Sequence, residues 1–362
     1  MGTTLQKRLP LDLQHQPSDV RDECRAALHD RSHLHPFPNQ EPISDLRRHR
    51  ADRSCPPPHH AQLPSMVIVF GSINLDLAFD LDAIPAPGET RLCPTLRTGP
   101  GGKGANQALA ARRDGAAVAL AGAVGQDAFA IPALALLAAS GMDLSRVARQ
   151  DTGTGCAAVL TDPAGRNAIA VAAGANLHAR ADQVEDALLR PGAILLLQME
   201  CDPTETAALI RRAHARDARV LLNLAPAAPL PADALALLDL LIVNEHEAAW
   251  LGAPDAAALH RRLGVGVVRT LGGAGAEYAV RGAAGQVAAV PVRVVDTTGA
   301  GDCFAGVLAA ALDRGAALPD AMRRACAAAA LACTRAGAQA ALPDAAETDA
   351  LLASPSPSGV KP

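Results

Sequence analysis

The chain has 362 residues, 49% of them hydrophobic, and 33 Lys and Arg against 37 Asp and Glu give a formal net charge of −4. Such a chain can bury a large core in one or two domains, and its charge leaves no footprint for nucleic acid or an acidic membrane surface. No run of about 18 apolar residues escapes interruption by charge, Pro or Gly, so no membrane span is read; eight Cys without CxxC or metal-type spacing, and no signal-peptide pattern, suit a reducing cytoplasm.

Residues 1–65 hold seven of the eleven His and a Pro run at 56–58, with mixed charge and no sustained apolar period. They read as a disordered leader, and Met66, which opens a clean strand pattern, reads as the true start. From there strands are predicted over 67–70, 117–121, 193–197, 220–224, 240–243 and 265–270. Helices are predicted between them, over 104–113, 129–140, 203–216 and 245–251. Short strands alternating with helices imply an α/β fold whose parallel sheet is covered on both faces. Ligands of such sheets bind at the carboxyl ends of the strands, where Gly71, Glu200, Asn244 and Gly272 fall. Segments 75–79, 90–96, 156–161 and 168–172 look like strands joined by turns without helices. They are expected to form a small separate sheet, a lid over the site. Ala-rich helix returns over 313–345, and residues 349–362 read as a flexible tail.

Three segments carry chemistry. After the first strand comes Gly71-Ser-Ile-Asn74-Leu-Asp76, in which Asn74 and Asp76 share one face of an extended backbone. An amide and a carboxylate so placed can hold a vicinal diol. The second is Gly99-Pro-Gly101-Gly-Lys-Gly104-Ala-Asn106. It matches GxGxxG in form, yet no acidic strand end follows where a dinucleotide site needs one, and Gly104 and Arg97 break the P-loop pattern. It reads instead as a glycine cradle close to a small ligand, with Lys103 and Asn106 as donors. Lys occurs only at positions 7, 103 and 361, so Lys103 stands alone in the body of an Arg-rich chain; its compact ammonium differs from a guanidinium in size and geometry. The third is Asp296-Thr-Thr-Gly-Ala-Gly-Asp302, running into the apolar stretch 303–312. A Gly-rich turn opening a helix gathers unpaired N–H groups at the positive end of the helix dipole, a place for an anion such as phosphate. A carboxylate at that place suits a base that deprotonates an alcohol attacking phosphorus.

With these motifs the chain resembles the ribokinase-like (PfkB-type) carbohydrate kinases. GSINLD at 71–76, PGET at 87–90, GGKGANQ at 101–107, AGAN at 173–176, QME at 198–200, NLAPA at 223–227, NEHE at 244–247, TLGGAG at 270–275 and DTTGAGD at 296–302 follow the family's order. The resemblance implies a three-layer αβα ribokinase-like fold over 66–348 with a mainly parallel sheet and a small β-sheet lid. It implies phosphorylation of D-ribose by ATP to ribose 5-phosphate, with Asp302 as the base and Gly299, Ala300 and Gly301 as the anion hole. Asn74, Asp76, Gly102, Lys103, Gly104, Ala105, Asn106 and Glu200 match sugar-contacting positions. Asn244, Thr270, Leu271, Gly272, Gly273, Ala274, Gly275, Gly301, Asp302 and Cys326 match the nucleotide side. Glu247 matches a group acting on Mg²⁺ through water. Asp296, Thr298, Ala332, Arg335, Gly337 and Ala341 match a loop for a monovalent cation, usually K⁺. Relatives pair through their lids, so a homodimer is expected.

The chain departs from the family where Cys326 stands in place of a His near adenine and Ala341 in place of a small polar residue. Its aromatic content is 2%, which leaves little stacking for a base. Within enzymes the rival substrates are 2-deoxyribose, fructose or a nucleoside; outside them, the rival is a catalytically silent sugar-binding regulator. Asn74, Asp76 and Glu200 favour a small polyhydroxylated sugar. His214, His246 and His260 read as helix-surface residues, Asp143 and Asp151 as turn residues, and Cys201 as a thiol without a catalytic His.

Overall fold

The computed structural model describes residues 66–354. The proposed leader, and with it the reading of Met66 as the start, concerns residues 1–65, outside the described range. The first strand, β1 (Val67–Phe70), is buried along its whole length, as a continuous Val/Ile/Phe run must be when both sheet faces are covered. It is followed by β2 (Asn74–Asp80), β3 (Leu96–Gly101), α1 (Lys103–Arg113), β4 (Val118–Gly125), α2 (Ala130–Ala139), β5 (Val147–Gln150), β6 (Gly155–Thr161) and β7 (Asn167–Ala172). The second half holds β8 (Ile194–Leu197), α3 (Pro203–Ala215), β9 (Arg219–Asn223), α4 (Ala232–Ala236), β10 (Leu240–Val243), α5 (Glu245–Trp250), α6 (Ala256–Leu263) and β11 (Gly266–Thr270). It closes with β12 (Ala276–Val280), β13 (Ala283–Val287), α7 (Ala300–Asp313), α8 (Leu318–Ala332) and α9 (Ala345–Ala353).

Nine strands form the large sheet, in the order β13-β12-β11-β10-β9-β8-β1-β4-β5. From β11 to β5 every pairing is parallel, and the β12–β13 hairpin adds an antiparallel edge. The order runs outward both ways from β1 and β8, so the chain reverses direction there and opens a crevice at the strands' carboxyl ends. Helices α1, α7 and α8 cover one face with small residues, which lets them pack close: a methyl on Gly306 of α7 would lie 2.3 Å from the Gln107 carbonyl of α1. No helix of the described residues is long and apolar enough to cross a membrane.

The four-stranded lid has the order β3-β2-β6-β7. Its second strand differs from the expectation over 90–96: the ladder begins at Leu96 and pairs Leu96–Gly101 against Phe79–Asn74. Pro94 lacks the N–H a ladder requires, whereas Pro100 is tolerated because β3 is an edge strand. The glycine cradle is therefore the end of a lid strand, and it passes directly into α1. The tail expected over 349–362 also differs, because α9 continues to Ala353, started by an Asp344–Glu347 capping box. Residues 355–362 of that tail lie outside the described range.

Candidate active site

Two helix N-termini meet at the crevice. Gly299 caps α7 with φ of 76°, a left-handed conformation that a residue with Cβ adopts only at a cost. Asp302 follows in the first turn of α7 and is buried. Its two carboxylate oxygens accept from α1: Oδ2 from Asn106 Nδ2 and Oδ1 from Gln107 Nε2, each at 2.9 Å. Of the three amides expected to form the anion hole, that of Ala300 donates to the Thr297 carbonyl at 3.2 Å. Those of Gly299 and Gly301 find no acceptor among the described residues, as first-turn amides do not.

Beside Asp302 lie the lid residues. Asp76 and Asn74 do share a face of β2, and a Cβ on Gly101 would sit 2.2 Å from Asp76 Oδ2, so only glycine leaves room for that carboxylate. Burial pushes the Asp76 carboxyl up to about 6, and the charges of Glu200 and Asp302 push the same way against Lys103. Asp302 in turn raises the Lys103 ammonium above its ordinary value, against the opposing effect of burial. Asp76, Lys103, Glu200 and Asp302 thus form one electrostatic group, although they come from four separate stretches of chain. Glu200 Oε2 accepts from the Ser72 hydroxyl and, at 3.3 Å, from the Lys103 N–H. Asn74 Oδ1 accepts from Asn176 Nδ2 at 2.7 Å, leaving its own NH₂ for a ligand. Asn106 Oδ1 is buried without a donor among the described residues.

Gly102 caps α1 at φ of 89°, beside the crevice. Gly104 and Ala105 are not turned to it. The Ala105 N–H donates to the Ser72 carbonyl at 2.9 Å, and Gly104 lies against the Gly71 backbone. Their smallness serves the contact between α1 and the end of β1. Ser72 and Asn176 are structural partners of the site that sequence reading missed, although both lie inside quoted motifs.

A cleft of about 150 Å³ adjoins Asp302, lined by Lys103, Asn223, Asn244, Glu247, Thr270 and Gly301 among others. Asn223, at the end of β9, is a further lining residue missed in the sequence, where NLAPA at a strand's carboxyl end was the signal. Asn244 and Glu247 form a reciprocal capping box on α5, Asn244 Oδ1 accepting from Glu247 N and Glu247 Oε2 from Asn244 N. One Glu247 oxygen is therefore tied to backbone, and burial raises that carboxyl above its usual range. Leu271, Gly272, Gly273, Ala274 and Gly275 make a tight turn after β11, closed by Leu271 N to Gly275 O at 2.8 Å; of this segment only Thr270 lines the cleft. Cys326 is buried in the core on α8 and is absent from the cleft wall; burial pushes its thiol up to about 11. Among the described residues no group of three or more His, Cys, Asp or Glu stands ready to hold a metal.

The six residues matched to a cation loop fall on two adjoining segments. Asp296 Oδ1 accepts from the Thr298 N–H and hydroxyl, and its Oδ2 from Gly337 N at 2.8 Å, which pins 296–298 to 337. The Val295 and Asp296 amides donate to the Cys333 carbonyl, a second stitch. Ala332 and Ala341 are buried, while the Arg335 side chain turns to Glu347 and leaves only its backbone for such a role. Three donors on the Asp296 carboxylate thus tie the two segments together.

Comparison with known proteins bears on the family and the fold. A family model described as pfkB family carbohydrate kinase matches residues 64–345. The chain is 35% identical over 295 residues to the ribokinase of Bacillus subtilis, covering 79% of this chain and 99% of the relative. It is 33% identical over 306 residues to that of Schizosaccharomyces pombe, covering 78% and 96%. A solved structure of Arabidopsis thaliana ribokinase complexed with ribose and ATP superposes with a TM-score of 0.74 at 30% identity, covering 81% of this chain and 100% of that one.

Proposed function

This chain belongs to the pfkB family of carbohydrate kinases, as a ribokinase-type sugar kinase, and we propose that it transfers the terminal phosphoryl group of ATP to O5 of D-ribose. One observation carries the reading. A buried carboxylate, Asp302, stands in the first turn of α7 beside amides that have no acceptor, and it shares an electrostatic group with Asp76, Lys103 and Glu200.

In this reading the sugar lies between the lid and α1. Asp76 accepts from two of its hydroxyls, Asn106 Oδ1 takes a third, and the free amide of Asn74 donates. Asp302 removes the proton of the O5 hydroxyl as that oxygen attacks phosphorus in line, and the amides of Gly299 and Gly301 receive the charge that develops on the phosphoryl oxygens. Lys103 faces the same oxygens. Four carboxylates around one ammonium repel a polyphosphate, so the nucleotide needs a counter-cation. Mg²⁺, held by Glu247 through water, would supply that neutralisation. The lid excludes water, which keeps ATP from hydrolysing. The loop pinned by Asp296 is the proposed K⁺ site, and turnover should be higher in K⁺ than in a buffer without monovalent metal ions. ATP dependence and the absence of paired Cys among the described residues are in keeping with a cytoplasmic setting.

The test is ADP release with Mg²⁺ and ATP across a panel of pentoses, hexoses and nucleosides. D-Ribose should give the highest kcat/KM. A higher value for 2-deoxyribose, fructose or adenosine would reassign the substrate.

A further inference from the structure

Resting on Asp302 as the base, we propose that Gln107 is its positioning residue and that Gln198 fixes the orientation of Gln107. The three side chains form a buried line. Gln198 Nε2 donates to Gln107 Oε1 at 2.7 Å, and Gln107 Nε2 donates to Asp302 Oδ1 at 2.9 Å. Gln107 is 0% exposed and Gln198 1%.

The order of donors matters. A primary amide has one accepting and one donating end. With its oxygen taken by Gln198, Gln107 is obliged to turn its NH₂ toward the carboxylate. The flipped amide would set oxygen against oxygen at Asp302 and NH₂ against NH₂ at Gln198, both repulsive. Gln198 keeps its own orientation at a cost, since its Oε1 is buried with no donor among the described residues. That oxygen presses on Gly71, where a Cβ would lie 1.8 Å away. A buried orphan acceptor costs about 1–3 kcal/mol, and an apolar side chain of the same volume would avoid it. What the orphan secures is an NH₂ aimed at Gln107, and through it a carboxylate with one oxygen held.

Asn106 donates to the other oxygen of Asp302, and its Oδ1 is buried with no donor among the described residues, which leaves it a partner to gain from the proposed sugar. Gln107 is wholly buried, with its amide oxygen bonded to Gln198 and its NH₂ to Asp302. It can hold Asp302 Oδ1 through the whole reaction, leaving Oδ2 to meet the substrate hydroxyl as Asn106 turns to the sugar. The close approach of α1 and α7 at Gly306 is what lets so short a reach suffice.

The experiment compares Gln107→Met, Gln198→Met, the double variant, Asp302→Asn, and Gln107→Met combined with Asp302→Asn, with thermal unfolding as the check on folding. Gln107→Met should lower kcat about 10- to 100-fold with the sugar KM within about twofold, because a loosened base misaligns the reaction and leaves ground-state binding alone. Gln198→Met should lower kcat about fivefold, the worth of one ordinary hydrogen bond, and the double variant should be no worse than Gln107→Met. In the Asp302→Asn background Gln107→Met should cost nothing further. Wild-type kcat in Gln107→Met while Asp302→Asn is inactive overturns this proposal alone, and so does an equal kcat loss in both backgrounds. Full turnover in Asp302→Asn overturns the underlying reading instead. Should Gln107→Met fail to fold, Gln198→Met decides by the same split between kcat and KM.

Discussion

Asp76 binds a proton more tightly than an ordinary aspartate. Burial holds its carboxyl up to about 6 from an ordinary value of 3.8, with Glu200 and Asp302 adding to the rise. Sugar hydroxyls need the ionised form as acceptor, so the sugar KM should rise about tenfold per pH unit below 6, a single-proton dependence. A flat KM between pH 5 and 7 would remove Asp76 from the sugar site. Stability runs the other way. The folded-state value lies above the unfolded one, so the contribution of Asp76 is fullest below pH 3.8 and is lost as pH rises through 6. Asp76→Asn should therefore raise the melting temperature at pH 8 and give little or no gain near pH 4, while losing sugar affinity; thermal melts at the two pH values check the sign. At this scale the charged residues were legible. Asp302 sits in a motif whose chemistry points to phosphoryl transfer, Asp76 in one that suits a diol, and Lys103 in a glycine cradle for a small ligand. Gln107, Ser72 and Asn176 were not, because an amide or hydroxyl that acts on another side chain leaves no spacing to read.

The N-terminus of α7 depends on one backbone conformation. Gly299 is left-handed at φ of 76°, and a Cβ there would meet Ala338 at 3.1 Å. Gly299→Ala should cost about 1–2 kcal/mol of stability in urea unfolding, and it should lower kcat as well by tilting the amides beside Asp302. Unchanged stability and turnover would mean that the turn is not what shapes the mouth. The elements themselves were largely legible, since buried parallel strands such as β1 and β10 read as continuous apolar runs. Two were not. The β12–β13 hairpin contains Ala and Gly at edge positions with no strong alternation, so its period is weak. The lid strand at Leu96–Gly101 was hidden because Gly99-Pro-Gly101 composition argues for a turn, and only its edge position in the sheet permits a strand.

At the scale of the whole molecule, the lid face turned away from Asn74 and Asp76 is apolar. Leu96 pairs with Phe79 and Phe79 with Leu160, so the three lie side by side on that face, and Leu96 is 53% exposed. We propose that two lids pair across this face, so the native protein should sediment as a homodimer and the Leu96→Glu, Leu160→Glu variant as a monomer at micromolar concentration. A monomeric wild type would leave that face without this role. In the proposed mechanism the sheet order, the two facing helix ends and the lid serve a single device, a carboxylate kept where amides would receive phosphate. The direct test is Asp302→Asn, an isosteric change, assayed for ADP release and for ribose affinity by calorimetry. A loss of about 10²- to 10⁴-fold in kcat, the range of general-base removal, is expected with ribose still bound. Turnover near that of the wild type would contradict a general-base role for Asp302.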